Sequence, residues 1–318
     1  MNSSPDCPVS AESSIVVVND LQVLKDYESV LAANGLNTLD ALFQVRGTEV
    51  LSKPGLDSWR ERLRLTLVDG GQLRQFYLKR FSKPPGGARR EVRRAGLGAR
   101  SVAGAEWFAS RALSQAGVPG VKAVAFGEEH RGNREVRSAV VTAAVPGKSL
   151  ESWVRQWSTG DRAMIRGLLR PLARLVSDLH VCGFVHRDFY LSHVFFDPMN
   201  ANRPFCLIDL QRMIRPTMRR RRWMVKDLAA LNVSTPMELV TRTDRLRWFK
   251  MYLGTGAGNR EARKMAWWII GKALSMQRHE QRRQARFRAA NETAASHVER
   301  PPCSPPLNGG QRERGLVR

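Results

Sequence analysis

The chain alternates hydrophobic and polar residues in its first half and spaces them helically in its second half. Residues 60–68 place Leu63, Leu65 and Leu67 between polar residues, and an Asp-Gly-Gly turn leads into a second apolar run that ends at Lys79. Two alternating runs around such a turn predict a β-hairpin.

Other strands and helices are expected on both sides of this hairpin. A Gly-, Pro- and Arg-rich stretch over residues 82–102 predicts a flexible basic loop. The remaining elements expected before residue 145 are helices over 20–33, 38–43 and 104–116 and strands over 15–18, 121–126 and 138–144.

The pattern changes at Pro146-Gly147, after which the chain is expected to be mainly helical. Apolar residues keep helical spacing from Asp161 to His180, and Pro171 within this run is expected to kink or restart the helix. Further helices are expected over 226–233, 236–240, 244–253 and 260–288. A β-rich half and a helical half joined in this way predict two lobes around a cleft.

Charge is the most unusual feature of the composition. The 318 residues carry 52 Lys and Arg against 29 Asp and Glu, a net charge of +23. Such a field attracts polyanions, including nucleic acid, anionic membrane surfaces and phosphorylated substrates. The arginines cluster over residues 89–100, 219–222 and 278–288. No zinc-finger, basic-zipper or aromatic-interleaved pattern accompanies them, so nucleic acid is not an expected partner.

The sequence lacks recognisable targeting segments and cysteine motifs. No apolar run reaches 18 residues, and the polar start lacks the features of a secretory signal, so neither a spanning helix nor export is expected. The four cysteines are scattered without a C-x-x-C pair, which argues against a zinc site or a disulfide framework. A cytoplasmic location is expected.

Two aspartates carry the candidate chemistry. Asp188 follows Phe-Val-His-Arg and Asp209 follows Phe-Cys-Leu-Ile, so each lies at the end of a short apolar run. The separation suits a loop, a small hairpin and a return, which would bring both carboxylates to one cleft. Phosphoryl transfer uses such a pair, one near the attacking hydroxyl and one on a metal ion.

These residues, in this order, resemble the protein-kinase-like fold. Lys79 ends a strand and Glu106 lies in the next expected helix, as the phosphate-binding lysine and its glutamate partner do in that family. The His-Arg-Asp triplet at 186–188 matches the catalytic loop, and Asp209 matches the metal-binding aspartate. The resemblance implies an α+β bilobal fold. Its expected parts are a disordered N-terminus 1–14, an N-lobe 15–145, a helical C-lobe 146–288 and a disordered basic tail 289–318.

Several departures disfavour a regulated protein kinase. No G-x-G-x-x-G precedes Lys79, His193 replaces the usual Asn, Leu-Gln follows Asp209, and no A-P-E triplet follows. At these same positions the sequence is similar to the lipopolysaccharide core heptose kinases, which carry the motifs H-R-D-x-Y-x-x-H and I-D-L-x-R. The corresponding residues here are 186–193 and 208–212, and the resemblance covers roughly residues 75–255.

That narrower resemblance implies an activity and its residues. The γ-phosphate of ATP would pass to a heptose hydroxyl of a lipid-linked core oligosaccharide, at the inner face of the cell membrane, with Mg²⁺ as cofactor. Asp188 would be the catalytic residue. Lys79, Glu106 and Asp209 would bind the nucleotide. Asp209 would bind the metal, with His193 as a second candidate ligand.

Alternative functions remain open from the sequence. One is a kinase of the same fold that acts on another sugar, a small molecule or a protein, because no motif specifies the acceptor. The other is a non-catalytic basic protein, either a pseudokinase scaffold or a nucleic-acid binder. Retention of Lys79, Asp188 and Asp209 together argues against the second class.

Overall fold

The structure, a computed structural model, describes residues 14–51, 57–254 and 260–298. The predictions of disorder for residues 1–14 and 289–318 fall outside these ranges, apart from Ser14 and residues 289–298. The chain divides into two compact units, Met1–Ala273 and Leu274–Arg318. All of the candidate chemistry lies in the first unit.

A seven-stranded antiparallel sheet dominates the N-terminal part. Its strands are β1 Ile15–Val18, β2 Leu21–Leu24, β3 Glu49–Val50, β4 Arg60–Asp69, β5 Gln72–Ser82, β6 Ala123–Arg131 and β7 Arg134–Ala143. They lie in the order β1-β2-β6-β7-β5-β4-β3. The predicted hairpin is present as β4 and β5, which pair along their whole length. The connection between the strands expected over 121–126 and 138–144 is shorter than predicted, because β6 continues to Arg131 and β7 begins at Arg134.

Four helices accompany this sheet: α1 Glu28–Ala33, α2 Leu39–Gln44, α3 Gly86–Arg94 and α4 Val102–Gln115. The expected helix over 20–33 is wrong in its first part, because Leu21 and Val23 are buried in the core on a strand that pairs with β1 and β6. The expected loop over 82–102 is also wrong. It contains α3, which buries Val92 and leaves most of its arginine side chains toward solvent.

Strand alternation sets the position of Lys79. Phe76 and Leu78 of β5 are fully buried on the core face of the sheet, whereas Tyr77 and Lys79 lie on the opposite face. Lys79 is paired with Arg62 of β4 and Val140 of β7, so it is held in the middle of the sheet. Its side chain therefore enters the space between the sheet and the following lobe.

The part after residue 145 is mainly helical, as predicted. Its helices are α5 Leu150–Val154, α6 Arg162–Val181, α7 Arg220–Ser234, α8 Arg242–Leu253 and α9 Arg260–Val298. A small sheet of β8 Lys148–Ser149, β9 Val194–Phe196 and β10 Phe205–Leu207 carries the loops of interest. Short 3-10 helices occupy Lys25–Tyr27, Thr159–Asp161, Leu191–His193 and Leu210–Arg212. The fold class is α+β, with a sheet-rich N-terminal part and a helical C-terminal part.

Three details differ from the sequence expectations. Pro171 lies inside one continuous α6, where the exposed Gly167 one turn earlier can offer its unpaired carbonyl to water. Residues 236–240 form turns, not a helix. Finally, α9 continues to Val298, past the expected end near Arg288, through an Ala-rich sequence with high helix propensity.

The joint between the two parts requires glycine. Gly147 has a φ of +82°, and a Cβ at this position would overlap the backbone carbonyl of Phe196. The Pro146-Gly147 step therefore brings the chain into close backbone contact with β9, where no other residue fits.

Candidate active site

A lysine and two carboxylates form the centre of the site. Nζ of Lys79 lies 2.8 Å from the carboxylate of Glu106 on α4 and 2.9 Å from Oδ1 of Asp209. The Glu106 side chain is 1% exposed and the Lys79 side chain 12%. The ion pair expected between Lys79 and Glu106 is thus present, and Asp209 joins it.

Charge and burial oppose each other in this cluster. The Lys79 ammonium lowers the pKa of the Asp209 carboxyl well below its usual range, although burial acts in the other direction. Burial lowers the pKa of Lys79, but Asp209 and Glu106 together outweigh it, so the net shift is upward. Lys79 and Asp209 are therefore both charged near neutral pH.

A buried aspartate on α7 holds the loop that presents Asp188. Asp227 is fully buried, and its two oxygens accept the backbone N–H groups of His186 at 2.8 Å and Arg187 at 2.7 Å. Nε2 of His180 lies 3.3 Å from the same carboxylate. Arg187 has a φ of 71°, an uncommon conformation that needs such support.

His186 supports this loop and is not positioned as a base. Its Nε2 lies 2.9 Å from the carbonyl oxygen of Ile208, which can only accept, so Nε2 carries the proton. Burial lowers the pKa of His186, which keeps the ring neutral. The hydrogen bond ties the start of the Asp188 loop to the residue before Asp209, and so fixes the two aspartates relative to each other.

Asp188 and Asp209 line one cavity of about 310 Å³. The carboxylate of Asp188 accepts from Arg212 at 2.9 Å and lies 3.4 Å from Nζ of Lys226. Burial lowers the pKa of Lys226, and Asp188 acts against that shift. Arg60 and Arg62 of β4 also line the cavity, so positive groups surround both aspartates.

His193 faces Asp209 across a gap. Its Nδ1 lies 2.8 Å from the backbone carbonyl of Asp188 and must donate to it, which leaves Nε2 to face Asp209. That Nε2 is 3.7 Å from Oδ2 of Asp209. A ring nitrogen and a carboxylate oxygen at this distance can share a cation. Within the described residues no group of three His, Cys, Asp or Glu side chains could hold a metal ion.

Sequence reasoning missed three residues of the site. Arg212 and Lys226 contact Asp188, and Glu91 contacts Arg187 at 2.6 Å and Arg212 at 3.4 Å. Arg212 could have been found, because it is the last residue of the I-D-L-x-R motif. No sequence motif around Glu91 indicates a site residue, and the helix that carries it, α3, was not predicted.

A sheet-rich lobe and a helical lobe, with a Lys–Glu ion pair and two aspartates in one cavity between them, define a protein of the protein-kinase-like fold. The chain belongs to the lipopolysaccharide kinase (Kdo/WaaP) family, whose model matches residues 60–252. The family resemblance expected from the sequence motifs is confirmed.

Individual relatives agree with this membership. The lipopolysaccharide core heptose(I) kinase WaaP of Pseudomonas aeruginosa is 36% identical over 163 residues, which cover 49% of this chain and 59% of that protein. Its namesake from Escherichia coli is 33% identical over 154 residues, 46% of this chain and 58% of that protein. The chain thus aligns with somewhat more than half the length of these relatives.

A solved structure extends the similarity to the fold. A structure of WaaP in complex with acyl carrier protein has a TM-score of 0.58 and 27% sequence identity, and it covers 82% of this chain and 98% of that one. The protein-kinase-like bilobal architecture is therefore confirmed. The acyl carrier protein bound to that relative is a kind of partner that the sequence did not predict.

Proposed function

We propose that this chain transfers the γ-phosphoryl group of ATP to a hydroxyl of a heptose in the lipopolysaccharide inner core. The observation that carries the proposal is the convergence of Asp188 and Asp209 on one cavity, with Lys79 and Glu106 behind them. A pseudokinase or a nucleic-acid binder has no need of this arrangement. The names of the relatives supply the acceptor class.

The geometry suggests a role for each side chain. Lys79, held by Glu106, would bind the phosphates of ATP. Asp188 would orient the acceptor hydroxyl and take its proton as the oxygen bonds to the γ-phosphorus. The bond from that phosphorus to the β–γ bridging oxygen would break, and ADP would leave. Arg212 and Lys226 would hold the Asp188 carboxylate and offset the negative charge that accumulates.

The residues present fit a magnesium ion. Mg²⁺ usually binds one or two carboxylates together with substrate phosphates, at about 2.1 Å per ligand. Asp209 would supply the carboxylate. His193 is the second candidate, because its Nε2 faces Asp209 at 3.7 Å. When bound, the ion would neutralise the negative charge of the phosphates.

Asp209→Asn should abolish the Mg²⁺-dependent part of nucleotide binding, because a neutral amide is a weak ligand for a hard cation. The measurement is calorimetric titration of the protein with ATP, with and without Mg²⁺. Asp197→Asn is a matched control, since the Asp197 side chain accepts the Met199 N–H in a turn beyond β9, away from the cavity. Equal Mg²⁺ dependence in Asp209→Asn and wild type would contradict the assignment of Asp209.

We further propose that the protein works at the inner face of the cell membrane. None of the helices in the described ranges is long and apolar enough to cross a bilayer. Among the described side chains of α9, four large apolar ones are nevertheless solvent-exposed: Trp267 at 75%, Trp268 at 42%, Ile270 at 50% and Leu274 at 48%. Tryptophan beside basic residues is typical of surfaces that lie in a membrane interface.

Binding to vesicles that contain anionic lipid should be strong at low salt and weaken as salt rises, because charges are screened beyond about 10 Å at 0.1 M salt. Trp267→Ala should weaken binding further at every salt concentration. Leu73→Ala serves as the control, since it removes an apolar side chain that is equally exposed in the β4–β5 hairpin. Co-sedimentation with vesicles measures the binding of the wild type and of both variants. Salt-independent binding, or equal binding to neutral vesicles, would contradict the proposal.

A further inference from the structure

A second cavity of about 490 Å³ adjoins the one that contains the aspartates. The two cavities share Glu91 as a lining residue. One wall of the second cavity is a stripe of α3, in which Gly87, Arg90, Glu91 and Arg94 follow one another at helical spacing. Arg187, the residue before Asp188, also lines the cavity.

The charge of this cavity is positive and incompletely neutralised. Three arginines line it against one carboxylate, Glu91, which is bound to Arg187 and Arg212. Within the described residues, Arg90 and Arg94 have no carboxylate partner. The buried Nε–H of Arg187 also has no acceptor there. The cavity therefore presents several positively charged donor groups for which the described part of the chain provides no acceptor.

An apolar wall strengthens the effect of these charges. Ile214 and the indole of Trp223 line the cavity and pack together in a small cluster behind it. The guanidinium of Arg187 lies 5.2 Å from the Trp223 ring centroid, which holds it beside the cavity. Ion pairs beside such a wall are less screened than pairs in open water.

We propose that this cavity binds an anionic group of the acceptor, a phosphate or a carboxylate, while the acceptor hydroxyl lies at Asp188. The inference rests on the proposed function and deepens it. Arg90 and Arg94 would clamp the anion, and Arg187 would link the clamp to the catalytic loop. The enzyme would then select a negatively charged oligosaccharide over a neutral sugar of the same shape.

The double variant Arg90→Ala/Arg94→Ala tests the clamp. Charge-assisted contacts of this kind are worth about tenfold in affinity each, so the acceptor Kd and KM should rise about a hundredfold. The KM for ATP should not change. The control Arg89→Ala/Arg93→Ala removes two positive charges from the same helix, but neither residue lines the cavity. It should leave the Kd and KM for the acceptor near their wild-type values.

The chemistry of the acceptor identifies the anion. One sample of core oligosaccharide is treated with phosphatase, and another has its carboxylates reduced to alcohols. On the sample that has lost the recognised group, wild type and Arg90→Ala/Arg94→Ala should bind equally. Two results would overturn the inference. One is an equal loss of acceptor affinity in the two double variants. The other is a loss of affinity in Arg90→Ala/Arg94→Ala that is just as large on an acceptor without phosphate and carboxylate groups.

Equilibrium binding separates this inference from the proposed function. Calorimetry without ATP reports whether the arginines hold the acceptor, whether or not transfer follows. If wild type binds the anionic acceptor through Arg90 and Arg94 but transfers no phosphate, the inference stands and the proposed function fails. If wild type transfers phosphate and the arginine variants bind normally, the inference fails alone.

Discussion

Asp188→Asn should lower the rate of phosphate transfer by about a hundredfold to ten-thousandfold, the range associated with loss of a general base. The amide has nearly the same shape as the carboxylate, so it should keep the loop in place, but it cannot take the hydroxyl proton. ATP binding should persist, because Lys79, Glu106 and Asp209 are unchanged. Single-turnover kinetics and nucleotide titration measure the two effects separately.

A matched control is available for this variant. Asp178 lies on α6 with its side chain half exposed, and its ion pair with Arg174 is long, at 3.7 Å. Asp178→Asn removes the same charge and should transfer phosphate at the wild-type rate. Wild-type turnover in Asp188→Asn would show that Asp188 is not the base.

Asp227→Ala should destabilise the protein by about 2–5 kcal/mol, since it leaves one buried and one partly buried backbone N–H group without acceptors. These groups belong to His186 and Arg187, and the strained backbone of Arg187 would lose its support as well. The free energy of unfolding is measured by urea titration with tryptophan fluorescence. Transfer activity of the folded fraction should also fall, because Asp188 follows directly in the loop.

Asp178→Ala provides the comparison for stability, because surface substitutions usually change the free energy of unfolding by less than about 0.5 kcal/mol. An Asp227→Ala protein as stable as this control would contradict the role given to Asp227. If Asp227→Ala lost activity but kept its stability, Asp227 would serve to position the loop and not to stabilise the fold.

Local sequence was enough to predict the elements that carry the main site residues. The alternation around the Asp-Gly-Gly turn gave the hairpin that holds Lys79, and α4 with Glu106 lies where helical spacing placed it. Asp188 and Asp209 follow apolar runs that became the core of the second lobe. In these segments, periodicity and the turn chemistry agree with the tertiary structure.

Other parts depend on contacts that no local pattern records. The sequence pattern predicts a helix through residues 21–24, but these residues form β2, because pairing with β6 buries Leu21 and Val23. The composition of residues 82–102 indicated a loop, yet α3 forms because Val92 packs into the core. Arg212 and Lys226 approach Asp188 from two separate elements, so only the folded chain shows that they converge.

The most direct test of the central claim is mass spectrometry of a heptose-containing core oligosaccharide incubated with the purified protein, ATP and Mg²⁺. We expect a mass increase of one phosphate group, which fragmentation places on a heptose, and we expect no such product with Asp188→Asn. Transfer to a different sugar, or no transfer by folded protein that binds both ATP and acceptor, would contradict the proposed function.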